Sequence, residues 1–196
     1  MYFWNMFPRS ITKDEIKELP IKRFEGEIIL IDEEKDAQGA FDEISQEKII
    51  GIDTETKPAF KKGVFHKTAL IQIATTSKVF LFRLNKIGFP KALAEVLSNP
   101  QIEKIGIAVI QDMKELRQQF IKFESKEVVD LNVLCKNMGF ENIGAKNLSA
   151  MVLGHNISKR QQTSNWENPS LSEAQMFYAA TDAWICREIY LKLLAE

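Results

Sequence analysis

Histidine and cysteine are almost missing from this chain. Its 196 residues include only His66, His155, Cys135 and Cys186. A zinc centre built from these residue types takes about four ligands in close spacing, so such a centre is excluded. The two cysteines are far apart and both lie in apolar surroundings. They read as buried thiols in a reducing compartment rather than as a disulfide. Long apolar runs are missing too: no segment reaches the ~20 residues of a membrane helix. The aromatic opening MYFWNMFPRS lacks the basic stretch and long apolar stretch of a secretory signal. The expected location is intracellular, most simply the cytoplasm, with no membrane partner. Net charge is also near zero, since 26 basic and 27 acidic residues leave −1. There is then no global basic field to draw in a polyanion, and any such partner must be held by a local basic patch and by metal.

Apolar residues are plentiful. At 45% of the chain they suffice for one substantial core, which predicts a single domain. Thr12 to Glu15 reads as a capping box opening a short helix that Pro20 stops. Glu27 to Ile31 reads as a strand and Ala37 to Ile44 as a helix. Ile49 to Asp53 and Ile105 to Val109 are continuous apolar runs, as in strands buried on both faces. Ala69 to Ala74 and Val79 to Phe82 are separated by too short a turn for a crossover and predict an antiparallel hairpin. A helix is expected over Phe89 to Leu97, and another after Val109 through Leu116 and Phe120. Val128 and Val129 make a last strand, and the rest is helical: Leu131 to Met138, Leu148 to Leu153, and Glu173 to Leu194. This order predicts an α/β fold with a mixed sheet of about five main strands flanked by helices. Residues 1–27 read as an N-terminal extension and 28–196 as the domain. There is no repeat, low-complexity tract or linker.

Five polar residues interrupt this apolar pattern. Asp53 and Glu55, in IIGIDTET, end a buried run, where an unpaired charge costs several kcal/mol by order of magnitude (about 2 to 7 even for a neutral polar group). Strand periodicity puts them on one side, roughly 7 Å apart at ~3.4 Å per residue, which suits two carboxylates sharing an ion. Acids also close strands before turns without any such role. Asp112 falls in the first turn of a helix, where it favours the helix dipole. Ser172 and Gln175 cap the last helix, with Leu171 and Met176 as its staple. From Met176 to Cys186 the only charge is Asp182, on a helix apolar nearly all round and therefore buried. Tyr178 lies one turn earlier on the same face, where its hydroxyl either satisfies Asp182 in the core or shares its chemistry.

Taken in order, these residues resemble the DnaQ-like (DEDD) 3′–5′ exonucleases of the tyrosine-bearing subgroup, over about Ile28 to Leu194. The wording is most similar to Werner-type exonuclease domains and next to ribonuclease D, in KTALIQIA, IGIAVIQDMKEL, the Ser164-Asn165-Trp166 segment and LSEAQMFYAATDAWICREIY. The resemblance implies a ribonuclease H-like fold and two divalent cations, Mg²⁺ or Mn²⁺. Asp53 would bridge both ions, Glu55 and Asp182 would complete the site that activates water, and Asp112 would hold the second ion through water. Tyr178 would orient the attacking water. Nucleoside 5′-monophosphates would leave from a 3′ end, with DNA favoured as substrate. Such a cluster of acids repels itself without metal, so Mg²⁺ or Mn²⁺ is expected to stabilise the protein.

For substrate contact the candidates are Thr54 beside the acids and a basic loop carrying Lys57, Lys61, Lys62, His66 and Lys67 around Phe60. Such a loop suits phosphates and a stacked terminal base, although it also reads as a solvated lysine loop. Lys146, Lys159 and Arg160 form a second candidate patch. Thr56 and Ala59 replace the tryptophan and leucine of the Werner-type pattern, implying weaker packing at the 3′ end. Affinity and targeting are expected to depend on a partner, such as a helicase, or on a homo-oligomer. Asp130 reads as a helix cap, Trp166 as an anchor for the loop before the last helix, and Trp184 as core. A ribonuclease D-like enzyme trimming RNA and a catalytically idle nucleic-acid-binding module are the rival readings.

Overall fold

Successive residues of a strand point to opposite faces, and here the two faces are covered by different helices. The computed structural model describes residues 7–120 and 122–195, so the expected N-terminal extension is described from Phe7 onward. Among the described residues six strands form one sheet: β1 (Glu27–Ile31), β2 (Ile49–Thr56), β3 (Thr68–Ala74), β4 (Lys78–Phe82), β5 (Glu103–Gly106) and β6 (Val128–Asp130). Their order is β1-β4-β3-β2-β5-β6. β3 runs antiparallel to β2 and β4, as the short turn predicts, and the other pairings are parallel. Each run expected to form a strand contributes to this sheet, and even the three residues of β6 pair fully with β5.

The helices are α1 (Lys13–Glu18), α2 (Ala37–Ile44), α3 (Leu84–Ile87), α4 (Lys91–Ser98), α5 (Val109–Gln119), α6 (Leu131–Asn137), α7 (Ala145–Leu148) and α8 (Glu173–Leu194). A wide π turn over Ser149–Leu153 extends α7. On one face of the sheet, Ile50, Ile52, Ile71, Ile73, Phe80 and Phe82 pack with Phe41, Leu93, Met113 and Leu116 of α2, α4 and α5. On the other face, Leu70, Ala74, Val79 and Leu81 meet Ala179, Ala180 and Ala183 of α8. Both predicted capping boxes, Thr12 with Glu15 and Ser172 with Gln175, are formed. Cys135 and Cys186 are free and buried, as expected. No described helix is long and apolar enough to cross a membrane.

Three boundaries depart from expectation. β2 does not stop at Asp53 but continues to Thr56, because β3 pairs with it as far as Thr56 opposite Thr68. The apolar run Ile105 to Val109 is not one strand. It leaves the sheet after Gly106, turns through Ala108 in the left-handed region (φ 59°), and enters α5 at Val109. An apolar run alone does not separate strand from buried helix start. What makes the turn is Asp130, whose carboxylate accepts from the Ala108 and Ile110 amides at 3.2 and 3.3 Å. Lastly, α4 starts only at Lys91, since Pro90 precedes it, and the separate α3 comes before it.

Candidate active site

Gly51 decides how the site is built. It sits on β2 between Ile50 and Ile52, on the face toward α8. A Cβ there would lie 2.0 Å from the Ala183 carbonyl oxygen, so only glycine lets helix and strand approach this closely. Asp53 and Glu55 follow on the same face, and Asp182 precedes Ala183. One carboxylate oxygen from each of Asp53, Glu55 and Asp182 lies within 4.8 Å of the others. They open into a cleft of about 280 Å³ lined also by Thr54, Lys159, Tyr178 and Cys186. Asp112, on the first turn of α5, stands outside this close group. The Thr54 hydroxyl favours the ionised form of Asp112, and the Asp112 charge is still felt at Asp53 and Glu55.

Burial and mutual repulsion keep these acids protonated well above the usual carboxylate range. Burial raises Asp53 strongly, with Asp182, Glu55 and Asp112 adding to it. Glu55 is pushed to about 9 by burial and then by Asp182 and Asp112. Asp182 rises to about 7 by burial, against the Tyr178 hydroxyl and the Lys159 charge, which both favour its ionised form. Asp112 also rises to about 7, chiefly by burial. The Tyr178 hydroxyl moves up through burial and the Asp182 and Glu55 charges, and its ring rests beside buried Trp166 at 6.0 Å. This all-oxygen donor set, whose ionised form a bound cation would favour, fits hard divalent cations, and the residues present therefore suit the implied metal.

The sign of the resulting pH dependence is definite. Folded values lie above the ordinary 3.8 and 4.5, so the folded state holds the extra protons. The stability this contributes is complete below about pH 4 and is lost as pH rises through about 7 to 9. In EDTA the thermal midpoint should therefore fall from about pH 5 to pH 9, and saturating Mg²⁺ should flatten that decline. Equal slopes with and without Mg²⁺ would contradict this account of the site.

The basic residues divide. Along 157–162, Ile157, Lys159 and Gln162 face the acidic cleft, whereas Ser158, Arg160 and Gln161 face a neighbouring one. Lys146, on α7 next to Ala145 of the acidic cleft, lines neither, and Lys159 and Arg160 of the expected patch face different clefts. Lys57 and His66 are both tied to Glu167, at 3.1 and 3.7 Å, and Lys67 leans over Phe120 at 5.9 Å. Lys61 and Lys62 stay exposed, and Phe60 is 85% exposed. Phe60, Lys61, Val64 and Thr163 border a third cleft of about 470 Å³.

Asp130 caps α6 through the Asn132 amide at 2.9 Å, as expected. Its hold on Ala108 and Ile110, which sets the start of α5 and hence Asp112, is a role the sequence reading missed, as it missed Gly51. It also missed Arg83, which is fully buried and donates to the carbonyls of Trp166, Asn168 and Pro169. That arginine fixes the loop leading into α8. Its only mark in the sequence is a cation directly after the apolar run VFLF. Trp166 is fully buried in that loop, as expected of an anchor, and Trp184 is partly buried against Phe24 and His155.

β2 and α8 bring three carboxylates to one cleft, with Asp112 of α5 outside the close group, and the comparisons give the family. A family model described as 3′–5′ exonuclease matches residues 28–196; the chain belongs to that family. It is 32% identical over 198 residues to the bifunctional 3′–5′ exonuclease/ATP-dependent helicase WRN of Mus musculus, covering 94% of this chain and 14% of that protein. It is 29% identical over 168 residues to ribonuclease D of Gluconacetobacter diazotrophicus, covering 85% of this chain and 42% of that protein. The fold matches the crystal structure of the Aedes aegypti Nibbler EXO domain with a TM-score of 0.78 at 22% identity, covering 90% of this chain and 91% of that chain. The chain thus spans less than half the length of both curated relatives. The resemblance drawn from the motifs, including the ribonuclease H-like architecture, is borne out.

Proposed function

We propose that this chain hydrolyses nucleic acid, DNA in preference, from a free 3′ end to nucleoside 5′-monophosphates, using two divalent cations, Mg²⁺ or Mn²⁺. The observation that carries this reading is the convergence of Asp53, Glu55 and Asp182 within 4.8 Å, in a cleft that also holds Tyr178 and Lys159. Asp53, Glu55 and Asp182, with Asp112 at the edge, are the residues that would hold the ions. When bound, such ions supply an activated water and stabilise the attacking and leaving oxygens of an in-line displacement. The chain's own groups do the rest. Tyr178 keeps its proton at neutral pH, because its hydroxyl is raised, and so acts as a donor that orients water or a phosphate oxygen beside Asp182. Lys159 brings a positive charge to the same cleft, and Thr54 steadies Asp112. Exposed Phe60, with Lys61 and Lys62, meets the terminal nucleotides, while Lys67 and Arg160 contact the backbone further out.

Tyr178→Phe should lower kcat by about 10- to 100-fold and leave KM nearly unchanged, since an orienting group acts in the transition state. Metal-induced thermal stabilisation should persist in that variant. A lost metal response would move Tyr178 from orienting water to building the site.

The preference for DNA rests on the Werner-type likeness, and the 29% identity to a ribonuclease D favours RNA trimming as the second reading. Targeting falls to a helicase, another partner or a second copy of the chain, in the cytoplasm. The test uses matched DNA and RNA, single-stranded and with recessed 3′ ends, labelled at 5′ or 3′, in each metal. A descending ladder from the 5′ label and immediate mononucleotide release from the 3′ label are expected, strongest on DNA. Laddering on RNA alone would establish the second reading. Intact substrate in both metals would leave an idle binding module.

A further inference from the structure

Beside the acidic cleft lies a second one, of about 430 Å³, of which the reading above uses only Tyr178 and Arg160. Its walls are Lys22 and Arg23 on one side, Arg160 on another, and Phe177 and Tyr178 of α8. Tyr178 lines both clefts, so the two meet at that ring. Residues 20–24, just before β1, are held against the rest of the fold. Residue 21 bridges to Asn156 in parallel register, Lys22 donates to the Asn156 carbonyl at 2.9 Å, and Asn156 donates back to Pro20 at 2.9 Å. Phe24 donates to the Thr181 hydroxyl at 3.0 Å, one residue from Asp182. These bonds fix two cations at the rim of the site.

Arg23 is set more firmly still. Its guanidinium lies 3.7 Å over the Phe177 ring, a stacking that leaves the N–H edge free for an acceptor in its plane. Among the described residues Lys22, Arg23 and Arg160 make no ion pair, and the cleft's one acid is Glu25. In a chain of net charge −1 three unpaired cations in one cleft are a local excess. They are held apart from the basic loop, where Lys57 and His66 lie against Glu167.

We propose that this cleft is a phosphate track for the polynucleotide strand whose 3′ end enters the acidic cleft. It engages backbone phosphates several nucleotides upstream of the scissile bond, with Lys22 and Arg23 as its principal contacts. The proposal rests on the exonuclease reading above. It makes the strand's grip sequence-independent and tied to length, since a dinucleotide filling the acidic cleft does not extend past Tyr178.

The test compares Lys22→Ala/Arg23→Ala with the wild type on a 20-mer oligonucleotide and on a dinucleotide. Binding of the 20-mer is read by fluorescence anisotropy in Ca²⁺ over a range of salt, and hydrolysis of both substrates in Mg²⁺ or Mn²⁺. The double variant should bind the 20-mer about tenfold more weakly, with a salt slope shallower by about 1.4 for two lost phosphate contacts on a single strand. Dinucleotide hydrolysis should match the wild type, which also establishes that the variant is folded. Arg23→Lys, which keeps the charge and loses the planar stack, should fall between. Lys35→Ala/Lys91→Ala removes the same charge from residues paired elsewhere and should leave the slope unchanged. If the wild type hydrolyses its substrates but the double variant binds the 20-mer with unchanged affinity and slope, the track is overturned. Equal weakening by the control pair overturns it too. Absence of hydrolysis by the wild type is instead the failure of the exonuclease reading.

Discussion

Asp53→Ala should abolish release of nucleotides from the 3′ end, by about 10³-fold or more, while making the metal-free protein more stable. The first effect follows from position. Asp53 is the carboxylate that feels Asp182, Glu55 and Asp112 together, so it stands at the middle of the acidic group. Losing it removes one of the carboxylates that would hold the proposed ions. A 10³-fold loss corresponds to about 4 kcal/mol of barrier, within the range expected of metal-held charge stabilisation. The second effect follows from burial. At neutral pH the folded state has to hold Asp53 protonated, because burial and then the neighbouring acids raise it, whereas the unfolded chain ionises it, and alanine removes that cost. Activity and thermal midpoint in EDTA should thus move in opposite directions, and the Mg²⁺-induced rise in midpoint should vanish in the variant. A variant that keeps both activity and metal response would place the ions elsewhere.

Gly51→Ala carries the largest expected effect on stability. The added methyl would sit 2.0 Å from the Ala183 carbonyl oxygen and 3.1 Å from the Arg187 Cβ, and a helix backbone is not the far end of a flexible side chain. Overpacking of a close-fitted core costs about 1–3 kcal/mol, occasionally more, and this contact belongs to the upper end. Relief requires α8 to move off β2, which also separates Asp182 from Asp53. The midpoint of urea unfolding should fall, and the variant that remains folded should show a weakened metal response. Ala183→Gly, by contrast, should not rescue it, because the clash is with main chain. An Asp53-like loss of activity at unchanged stability would refute the packing argument.

Local pattern made much of this readable in advance. Asp53 and Glu55 share a face by strand period, Tyr178 and Asp182 by helix period, and Ser172 with Gln175 marks where α8 starts; each is decided within a few residues. What the sequence did not disclose is decided across the fold. β2 runs past Asp53 because β3 supplies partners up to Thr68. The apolar run through Ile107 breaks because Asp130, on another strand, holds the Ala108 and Ile110 amides. Lys57 looks free for substrate until Glu167, from the distant loop fixed by Arg83, takes it. Lys159 and Arg160 are neighbours in sequence, yet they face different clefts because the segment carrying them forms the ridge between the two. The need for glycine at position 51 likewise depends on a helix that comes more than a hundred residues later.

The acidic group joins a central strand to the final helix, elements distant along the chain. An ion seated there acts as a non-covalent cross-link that closes a very long loop, and loop-closure entropy grows only slowly with such length. Binding therefore adds to the stability of the whole tertiary arrangement rather than to one local turn. Withdrawal of metal would be felt first as loosened docking of α8, with the sheet left standing. Because the same helix carries Phe177, the second cleft would slacken together with the first.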